Sequence, residues 1–197
     1  QGVRVSAGHT EATYAQITEA LASGLTGFTH LFNAMPPMLN RTPGTLGAAL
    51  EDQTAWCGLI VDGIHVDPAV LRVALNCRPH DRFVLVTDAM PVVGSDADHF
   101  RLNGMEIDVR DGRCLGPGDT LAGSTLDMAS AVRNAMQMLG LDLPSAVAMA
   151  TANPAAFLGL GHLYGQLEAG LRANLVIAGR GIRVRQTWID GTCAFST

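Results

Sequence analysis

The sequence is poor in charge and in aromatic side chains. Asp, Glu, Lys and Arg make up 16% of its 197 residues, and Phe, Trp and Tyr only 5%. It has no long basic run and a formal net charge of −5, so we expect no nucleic acid or anionic membrane as a partner. An apolar stretch of about 18 residues and a signal segment with a basic start are also missing, which favours a cytoplasmic protein.

Cysteine is scarce and shows no pairing signature. The four cysteines are Cys57, Cys77, Cys114 and Cys193, with no C-x-x-C spacing between them. Three lie in or beside apolar runs. We therefore expect buried free thiols in a reducing compartment.

Apolar residues and glycine are abundant, at 48% of the chain and 22 residues respectively. This length and composition predict one domain, or one large domain with a small appendage. The glycines fall mainly between predicted elements, which is typical of an α/β protein with many strand-to-helix turns. The chain starts at Gln1 without Met, and its first residues have the pattern of a strand, so we expect a piece of a longer protein.

Short apolar strands alternate with helices over the first half of the chain. Strands are expected at 3–6, 26–29, 56–61 and 83–86, and the last two have the apolar pattern of strands buried on both faces. Helices are expected at 11–23, 44–50 and 68–77. Thr10 is the expected N-cap of the first helix, with Thr13 as a poorer alternative.

Polar residues recur just past the ends of these strands. His9 and His30 are 21 residues apart, and His65 and Asp88 are 23 apart, each interval fitting one strand, one helix and two loops. In a (β/α)₈ barrel such residues meet at one mouth, where active sites lie. In an open doubly wound sheet they would also share the carboxyl edge. The periodicity alone does not decide between the two architectures.

The pattern changes after Asp88. Residues 100–109 predict a hairpin with a turn at Asn103-Gly104, and Asp111-Gly112 offers a second turn, so we expect an insertion on the mouth. Ser124 and Asp127 resemble a capping box that starts a long helix ending near Leu139. Two short helices follow, and strands are expected at 175–177 and 184–189. This tail is too small to bury itself.

Several of these residues are candidates for chemistry. His9 and His30 could bind one Zn²⁺ or Fe²⁺, although each could instead be a loop residue bonded to the backbone. Asp88, which we expect to be partly desolvated, could act as a general acid/base or simply cap a helix. His65 could bind substrate oxygens or cap a helix, and Arg41 could hold a phosphate or be solvated.

The chain resembles the N-acetylglucosamine-6-phosphate deacetylase family of the amidohydrolase superfamily. The matching segments occur in the family's order across nearly the whole chain. They are Ser6-Ala7-Gly8-His9, Thr29-His30-Leu31-Phe32-Asn33-Ala34-Met35, Arg41-Thr42-Pro43-Gly44, Asp62-Gly63-Ile64-His65-Val66-Asp67, Val86-Thr87-Asp88-Ala89, Leu121-Ala122-Gly123-Ser124 and Ala150-Thr151-Ala152-Asn153-Pro154-Ala155.

The resemblance implies a fold: the C-terminal part of a (β/α)₈ barrel over residues 1–160, followed by C-terminal strands of a small β-sandwich domain over 161–197. It also implies one or two Zn or Fe ions bound by His9 and His30, and Asp88 as catalytic acid/base in the hydrolysis of N-acetylglucosamine 6-phosphate. Implied substrate-binding residues are Asn33, Ala34, Arg41, Asp62, Gly63, Ile64, His65, Leu121, Ala122 and Gly123. A homodimer is implied, with Arg41 reaching across its interface.

The chain also departs from the family pattern. The family's Glu metal ligand and a substrate-binding His lie upstream of the first matching segment and have no counterpart here. Leu171 stands where the family usually has Lys. Two alternatives stay open: an amidohydrolase that acts on a different amide, and a non-catalytic half-barrel that serves as an assembly module.

Overall fold

A sheet of four short parallel strands lies at the centre of the computed structural model, which describes residues 2–197. The strands are β1 (Ser6–Ala7), β2 (Gly27–Phe28), β3 (Trp56–Leu59) and β4 (Phe83–Leu85). They pair in chain order, each in parallel with the next. The predicted parallel α/β sheet is confirmed, but within 2–197 the sheet is open, since β1 and β4 do not pair. The expectation about Gln1 lies outside the described residues.

Three helices connect these strands: α1 (Tyr14–Ala22), α2 (Gly44–Glu51) and α3 (Pro68–Cys77). The predicted N-cap of α1 is wrong, because Thr13 caps the helix in a capping box with Gln16. The Thr13 side chain accepts from the Gln16 N–H, and the Gln16 amide oxygen accepts from the Thr13 N–H. Thr10 instead accepts a hydrogen bond from the backbone of Ala12.

The core lies between the parallel sheet and its helices. Phe28 of β2, Leu59 of β3 and Phe83 of β4 are at most 2% exposed. Burial on both faces explains why these strands are almost wholly apolar in sequence. Helix α4 (Met128–Leu139) completes the core with Ala131 and Ala135.

A second sheet of four antiparallel strands follows Asp88. It contains β5 (His99–Leu102), β6 (Met105–Arg110), β7 (Arg113–Leu115) and β8 (Leu121–Ser124), joined in that order. The two predicted turns are confirmed, with Asn103 and Asp111 at positive φ before their glycines.

The predicted start of α4 needs a correction at Ser124. Asp127 alone caps the helix, and its carboxylate accepts from the Ser130 N–H at 2.8 Å. Ser124 ends β8 and forms an isolated parallel bridge with Ala89, beyond β4. This bridge ties the second sheet to the edge of the first. The Ser124 hydroxyl donates to the Thr87 carbonyl and accepts from the Leu126 N–H, so it does not cap α4.

The remainder of the chain holds two short helices, α5 (Leu143–Ala148) and α6 (Ala152–Phe157), and a third sheet. That sheet has the order β11-β10-β9 and consists of β9 (Leu175–Gly179), β10 (Arg183–Ile189) and β11 (Thr192–Ser196). Strand β11 was not predicted. Val176 and Phe195 are 60% and 51% exposed, so the tail does not bury itself, as expected. The β-sandwich remains a prediction.

All four cysteines are free thiols, as expected, but the prediction that they are buried is wrong for two of them. Cys57 and Cys114 are buried, whereas Cys77 and Cys193 are exposed. Cys77 is the last residue of α3, and Cys193 lies in β11, whose residues are all exposed. At these two positions, apolar neighbours in the sequence do not imply burial. None of the helices in residues 2–197 has the length and apolar character needed to cross a membrane.

Candidate active site

Three of the predicted site residues lie just past strand ends with unusual backbone conformations. His9, His30 and Asp88 follow β1, β2 and β4, with φ angles of 46°, 28° and 51°. Positive φ is uncommon for residues with a side chain and costs of order 1–3 kcal/mol, so it is concentrated at functional sites. The three residues therefore lie past the carboxyl ends of parallel strands of one sheet, each with a positive φ.

The imidazole rings of His9 and His30 are in contact. Their centroids lie 4.7 Å apart with an interplanar angle of 79°. His30 is only 7% exposed, and its Nδ1 atom is buried without a hydrogen-bond partner in the described part of the chain. A buried polar atom without a partner is costly, and a neutral imidazole nitrogen can bind a metal ion, so Nδ1 of His30 fits the role of a metal ligand.

Two glycines that were not predicted as site residues, Gly8 and Gly58, pack against His30. A Cβ at Gly8 would lie 3.5 Å from His30 Cε1, and a Cβ at Gly58 would lie 3.2 Å from the His30 backbone nitrogen. The N–H of Leu31 also donates to the carbonyl of Gly58 at 2.8 Å. A glycine inside or beside a strand signals close approach of another group, and here that group is the candidate metal ligand.

The histidine pair supplies two donors for a metal. Among residues 2–197, no group of three or more His, Cys, Asp or Glu side chains could hold an ion. A catalytic zinc site uses three protein ligands and an open position, so the pair fits part of such a site. The unpartnered Nδ1 of His30 is the observation that favours this fit.

Asp88 is fixed through its backbone to strand β8. Its carbonyl accepts from the Ser124 N–H at 2.8 Å, and the Ser124 carbonyl accepts from the Met90 N–H at 2.9 Å. Gly123, with φ of 106°, allows this approach, since a Cβ there would lie 3.0 Å from the Asp88 carbonyl oxygen. The predicted segment Leu121, Ala122 and Gly123 is thereby brought beside Asp88.

The side chain of Asp88 is exposed, which contradicts the expected partial desolvation. The carboxylate is not covered by the rest of residues 2–197, although all three residues of the preceding strand β4 are buried. The second sheet still comes close to it, as Cys114 of β7 shows. Burial first, and the charge of Asp88 second, raise the pKa of the Cys114 thiol.

The loop after His30 is held by its own hydrogen bonds. The carbonyl of His30 accepts from the backbone N–H of Asn33 at 3.0 Å and from its side-chain Nδ2 at 3.1 Å. Phe32 and Ala34 both have positive φ, at 80° and 50°. The Asn33 amide nitrogen is thus used inside the loop, whereas Ala34 is exposed.

Asp62 and His65 form a nearly buried pair in the loop after β3. His65 Nδ1 lies 2.6 Å from Asp62 Oδ2, and the two side chains are 5% and 7% exposed. Asp62 Oδ1 accepts from the N–H groups of Ile64 at 2.8 Å and His65 at 2.9 Å. Burial alone would raise the pKa of Asp62, but these hydrogen bonds outweigh it and lower the pKa. Gly63 takes a φ of 72° between them.

Arg41 stands apart from this group. It is exposed at the tip of a turn closed by the Leu39–Thr42 bridge, and it makes no hydrogen bond or ion pair within residues 2–197. Met38 and Leu39 beside it are 54% and 56% exposed. An unpaired Arg next to exposed apolar side chains suits a group that works at an interface.

The chain is similar to known proteins over nearly its whole length. Residues 2–193 match the profile of the Amidohydrolase family. The chain is 39% identical over 194 residues to an N-acetylgalactosamine-6-phosphate deacetylase of Escherichia coli O157:H7, covering 98% of this chain and 51% of that protein. It is 35% identical over 194 residues to an N-acetylglucosamine-6-phosphate deacetylase of Vibrio furnissii, covering 98% of this chain and 48% of that protein.

A solved structure has the same fold over the whole described chain. The N-acetylglucosamine-6-phosphate deacetylase from Pasteurella multocida matches with a TM-score of 0.95 and 36% identity, over 100% of this chain and 51% of that one. The chain spans about half the length of these relatives. By sequence and by fold, therefore, the chain belongs to the amidohydrolase family, where it resembles half of an N-acetylhexosamine-6-phosphate deacetylase.

Proposed function

We propose that this chain supplies two metal ligands, an acid/base and phosphate-binding groups for the hydrolysis of the acetamide of an N-acetylhexosamine 6-phosphate. The observation that supports this most is the contact between His9 and His30, with the Nδ1 atom of His30 buried and unpartnered. A divalent cation held there, Zn²⁺ or Fe²⁺, would activate water and polarise the acetamide carbonyl.

Asp88 is the acid/base in this proposal. Its carboxylate accepts a proton from the attacking water as the new C–O bond forms, and returns it to the nitrogen as the C–N bond breaks. Acetate and the free amino sugar phosphate are the products. An exposed carboxylate at a strand end suits this role, because it must be ionised before the reaction and reach substrate during it.

The remaining predicted residues would bind the sugar phosphate. Arg41 would hold the phosphate with a bidentate contact, and its exposure beside Met38 and Leu39 suits a position in a homodimer interface. The loop residues Asn33 and Ala34, the segment 62–65 and the segment 121–123 would line the sugar. Gly63 and Gly123 allow close backbone approach there through their positive φ.

The relatives are named for two epimeric sugars, so N-acetylgalactosamine 6-phosphate is a second candidate substrate beside N-acetylglucosamine 6-phosphate. Both N-acetylglucosamine 6-phosphate and N-acetylgalactosamine 6-phosphate present the same acetamide and phosphate, and they differ in one hydroxyl orientation. The residues proposed for the metal, the proton and the phosphate serve either sugar equally. The sugar hydroxyl contacts therefore decide between them.

Acetate release tests the proposal. The chain is assayed with Zn²⁺ on both sugar phosphates and on unphosphorylated N-acetylglucosamine, alone and with the upstream half of the Pasteurella multocida enzyme added in trans. We expect hydrolysis of a phosphorylated sugar in at least one of these conditions. Arg41→Ala should raise KM for the phosphorylated sugar about tenfold or more, and Arg101→Ala, on the exposed hairpin, should not.

Each other outcome points to an alternative. Equal rates on phosphorylated and unphosphorylated sugar contradict the phosphate role of Arg41 and favour an amidohydrolase for a different amide. Absence of both metal binding and acetate release, even with the complementary half present, favours the non-catalytic assembly module.

A further inference from the structure

One buried residue, Ser124, is hydrogen-bonded to the chain on both sides of Asp88. Its hydroxyl donates to the carbonyl of Thr87, and its N–H donates to the carbonyl of Asp88 at 2.8 Å. Its own carbonyl accepts from the N–H of Met90 at 2.9 Å. Ser124 is only 1% exposed, and hydrogen bonds shielded from water in this way are stronger than exposed ones. The three bonds hold residues 87–90 against the second sheet.

The Asp88 side chain depends on this backbone for its direction. It is exposed, and no hydrogen bond or ion pair within residues 2–197 holds its carboxylate. Its φ of 51° is uncommon for a residue with a side chain and persists only where the surroundings enforce it. The two peptide units that flank Asp88 set the direction of its Cα–Cβ bond. Ser124 bonds to both of them, at the Thr87 carbonyl and at the Asp88 carbonyl.

The contact with Thr87 requires a hydroxyl at position 124. The two bonds to Asp88 and Met90 use only the backbone of Ser124, so most residue types could make them. The bond to the Thr87 carbonyl needs a side-chain donor. The same oxygen accepts from the N–H of Leu126 at 3.0 Å, so the hydroxyl is used both as donor and as acceptor. This explains how a polar side chain is accommodated at 1% exposure.

We propose that Ser124 is a positioning residue for Asp88: its hydroxyl and N–H fix the two flanking peptide units and so direct the Asp88 carboxylate towards the amide that is cleaved. This inference rests on the proposed function for the role of Asp88 as acid/base. The fixed backbone does not depend on that function, so the two can fail separately. A proton acceptor must come within about 2.6–3.2 Å of its donor, so a displaced carboxylate slows the reaction even when it is ionised.

Ser124→Thr and Ser124→Val form the informative pair of variants. Both side chains are β-branched and of similar size, and both suit a strand such as β8. Thr keeps the hydroxyl, whereas Val has a methyl group in its place. A difference between the two variants therefore measures the hydroxyl and not the added volume. Ser124→Ala removes the hydroxyl without adding atoms, and it replaces Ser124→Val in the comparison if the larger side chain prevents folding.

The first readout is the backbone of Asp88 in crystal structures of the wild type and these variants. We expect a positive φ, near 51°, in the wild type and in Ser124→Thr. In Ser124→Val and Ser124→Ala we expect a negative φ, or more than one conformation at residues 87–88. An unchanged single conformation with positive φ in the variants that lack the hydroxyl overturns the proposal, whatever the enzyme does.

The second readout is kcat and KM for N-acetylglucosamine 6-phosphate, under the condition of the acetate assay that gives turnover. Ser124→Val should have a kcat about ten- to a hundredfold below that of Ser124→Thr, because a small misplacement of a reacting group is costly. KM and the Kd of Zn²⁺ should be the same in both. Equal kcat values, or a loss confined to KM, contradict the positioning role.

Ser95→Ala is the matched control for loss of a hydroxyl. The Ser95 hydroxyl also donates to a carbonyl, that of Val92 at 2.9 Å, and accepts from an N–H two residues later, that of Ala97 at 3.4 Å. Its removal should leave kcat unchanged. A loss as large as that in Ser124→Val would show that kcat responds to any loosened loop, which contradicts a specific role of Ser124.

Failure of the proposed function would look different. In that case none of the proteins releases acetate, the wild type included, while the φ of Asp88 still depends on the hydroxyl at position 124. A wild type that is active and a Ser124→Val variant that is equally active, with the φ of Asp88 changed, contradict the positioning role alone.

Discussion

His9 and His30 follow neighbouring parallel strands, and their rings meet edge to face at a centroid distance of 4.7 Å. The contact joins residues 21 positions apart in the chain. His9 is exposed, whereas His30 is nearly buried and its Nδ1 atom has no partner among the described residues. The His9 side of the pair is therefore open to a ligand, and the His30 side is held by the fold. The proposed chemistry depends on this relationship more than on any other.

Gly8 should be required for the position of His30. A Cβ there would lie 2.4 Å from Thr29 Cγ2 and 3.5 Å from His30 Cε1. We expect Gly8→Ala to lower the free energy of unfolding by about 1–3 kcal/mol through overpacking, and to weaken zinc binding as the His30 ring shifts. Urea unfolding and calorimetric zinc titration measure the two effects.

The matched control removes the atom that the new methyl would strike. Thr29→Ser lacks Cγ2, so Gly8→Ala combined with Thr29→Ser should recover most of the lost stability and affinity. If Gly8→Ala alone binds zinc as tightly as the wild type, the packing of Gly8 does not set the ring position.

Asp88→Asn should slow turnover strongly without loss of the metal. Asn tolerates the positive φ of Asp88 but cannot accept and return a proton, so kcat should fall about 10²- to 10⁴-fold while zinc affinity is unchanged. Asp119→Asn, an exposed residue with φ of 57°, is the control for substitution in this conformation. Retained activity in Asp88→Asn would remove Asp88 from the proton transfer.

Asp127 should stabilise the chain in a pH-dependent way. Its burial raises the pKa, but hydrogen bonds from the Ser130 side chain and backbone outweigh this and lower it. A lowered folded pKa means that the stabilisation is present above the unfolded value of about 3.9 and is lost as pH falls through the folded value. Asp127→Ala should therefore cost about 0.5–2 kcal/mol at pH 7.

Denaturant unfolding between pH 7 and pH 2 measures this difference. The gap between wild type and Asp127→Ala should close as pH falls below about 4, because the protonated cap no longer accepts as strongly. Asp96→Ala, on an exposed loop, should show no gap at any pH. A gap that persists unchanged in acid would mean that the ionised carboxylate is not what caps α4.

Elements with a local signal were predictable, and the errors arose where two signals competed. Both Thr10 and Thr13 can cap a helix, but only Thr13 has Gln three residues later to complete the capping box. Gln16 is visible in the sequence, and it favours Thr13 over Thr10 as the cap. For Ser124 no local signal was available. Its bridge partner Ala89 precedes the whole second sheet in the chain, so the residues next to Ser124 do not reveal the pairing.

The candidate site was predictable as a set of strand-end residues, and its internal geometry was not. The βα spacing brings His9, His30 and Asp88 to one edge of the sheet. The Nδ1–Oδ2 contact of Asp62 with His65, and the glycines that pack on His30, depend on loop conformations with positive φ. Such conformations follow from tertiary packing, which residue spacing does not reveal.

The most direct test of the central claim is a calorimetric titration of the chain with ZnCl₂. We expect binding that is weakened at least about tenfold in both His9→Ala and His30→Ala and is unchanged in His162→Ala, an exposed histidine outside the site. If the parent chain binds no zinc even with the complementary half present, or if all four proteins bind it equally, the two imidazoles do not form a metal site and the proposed mechanism loses its basis.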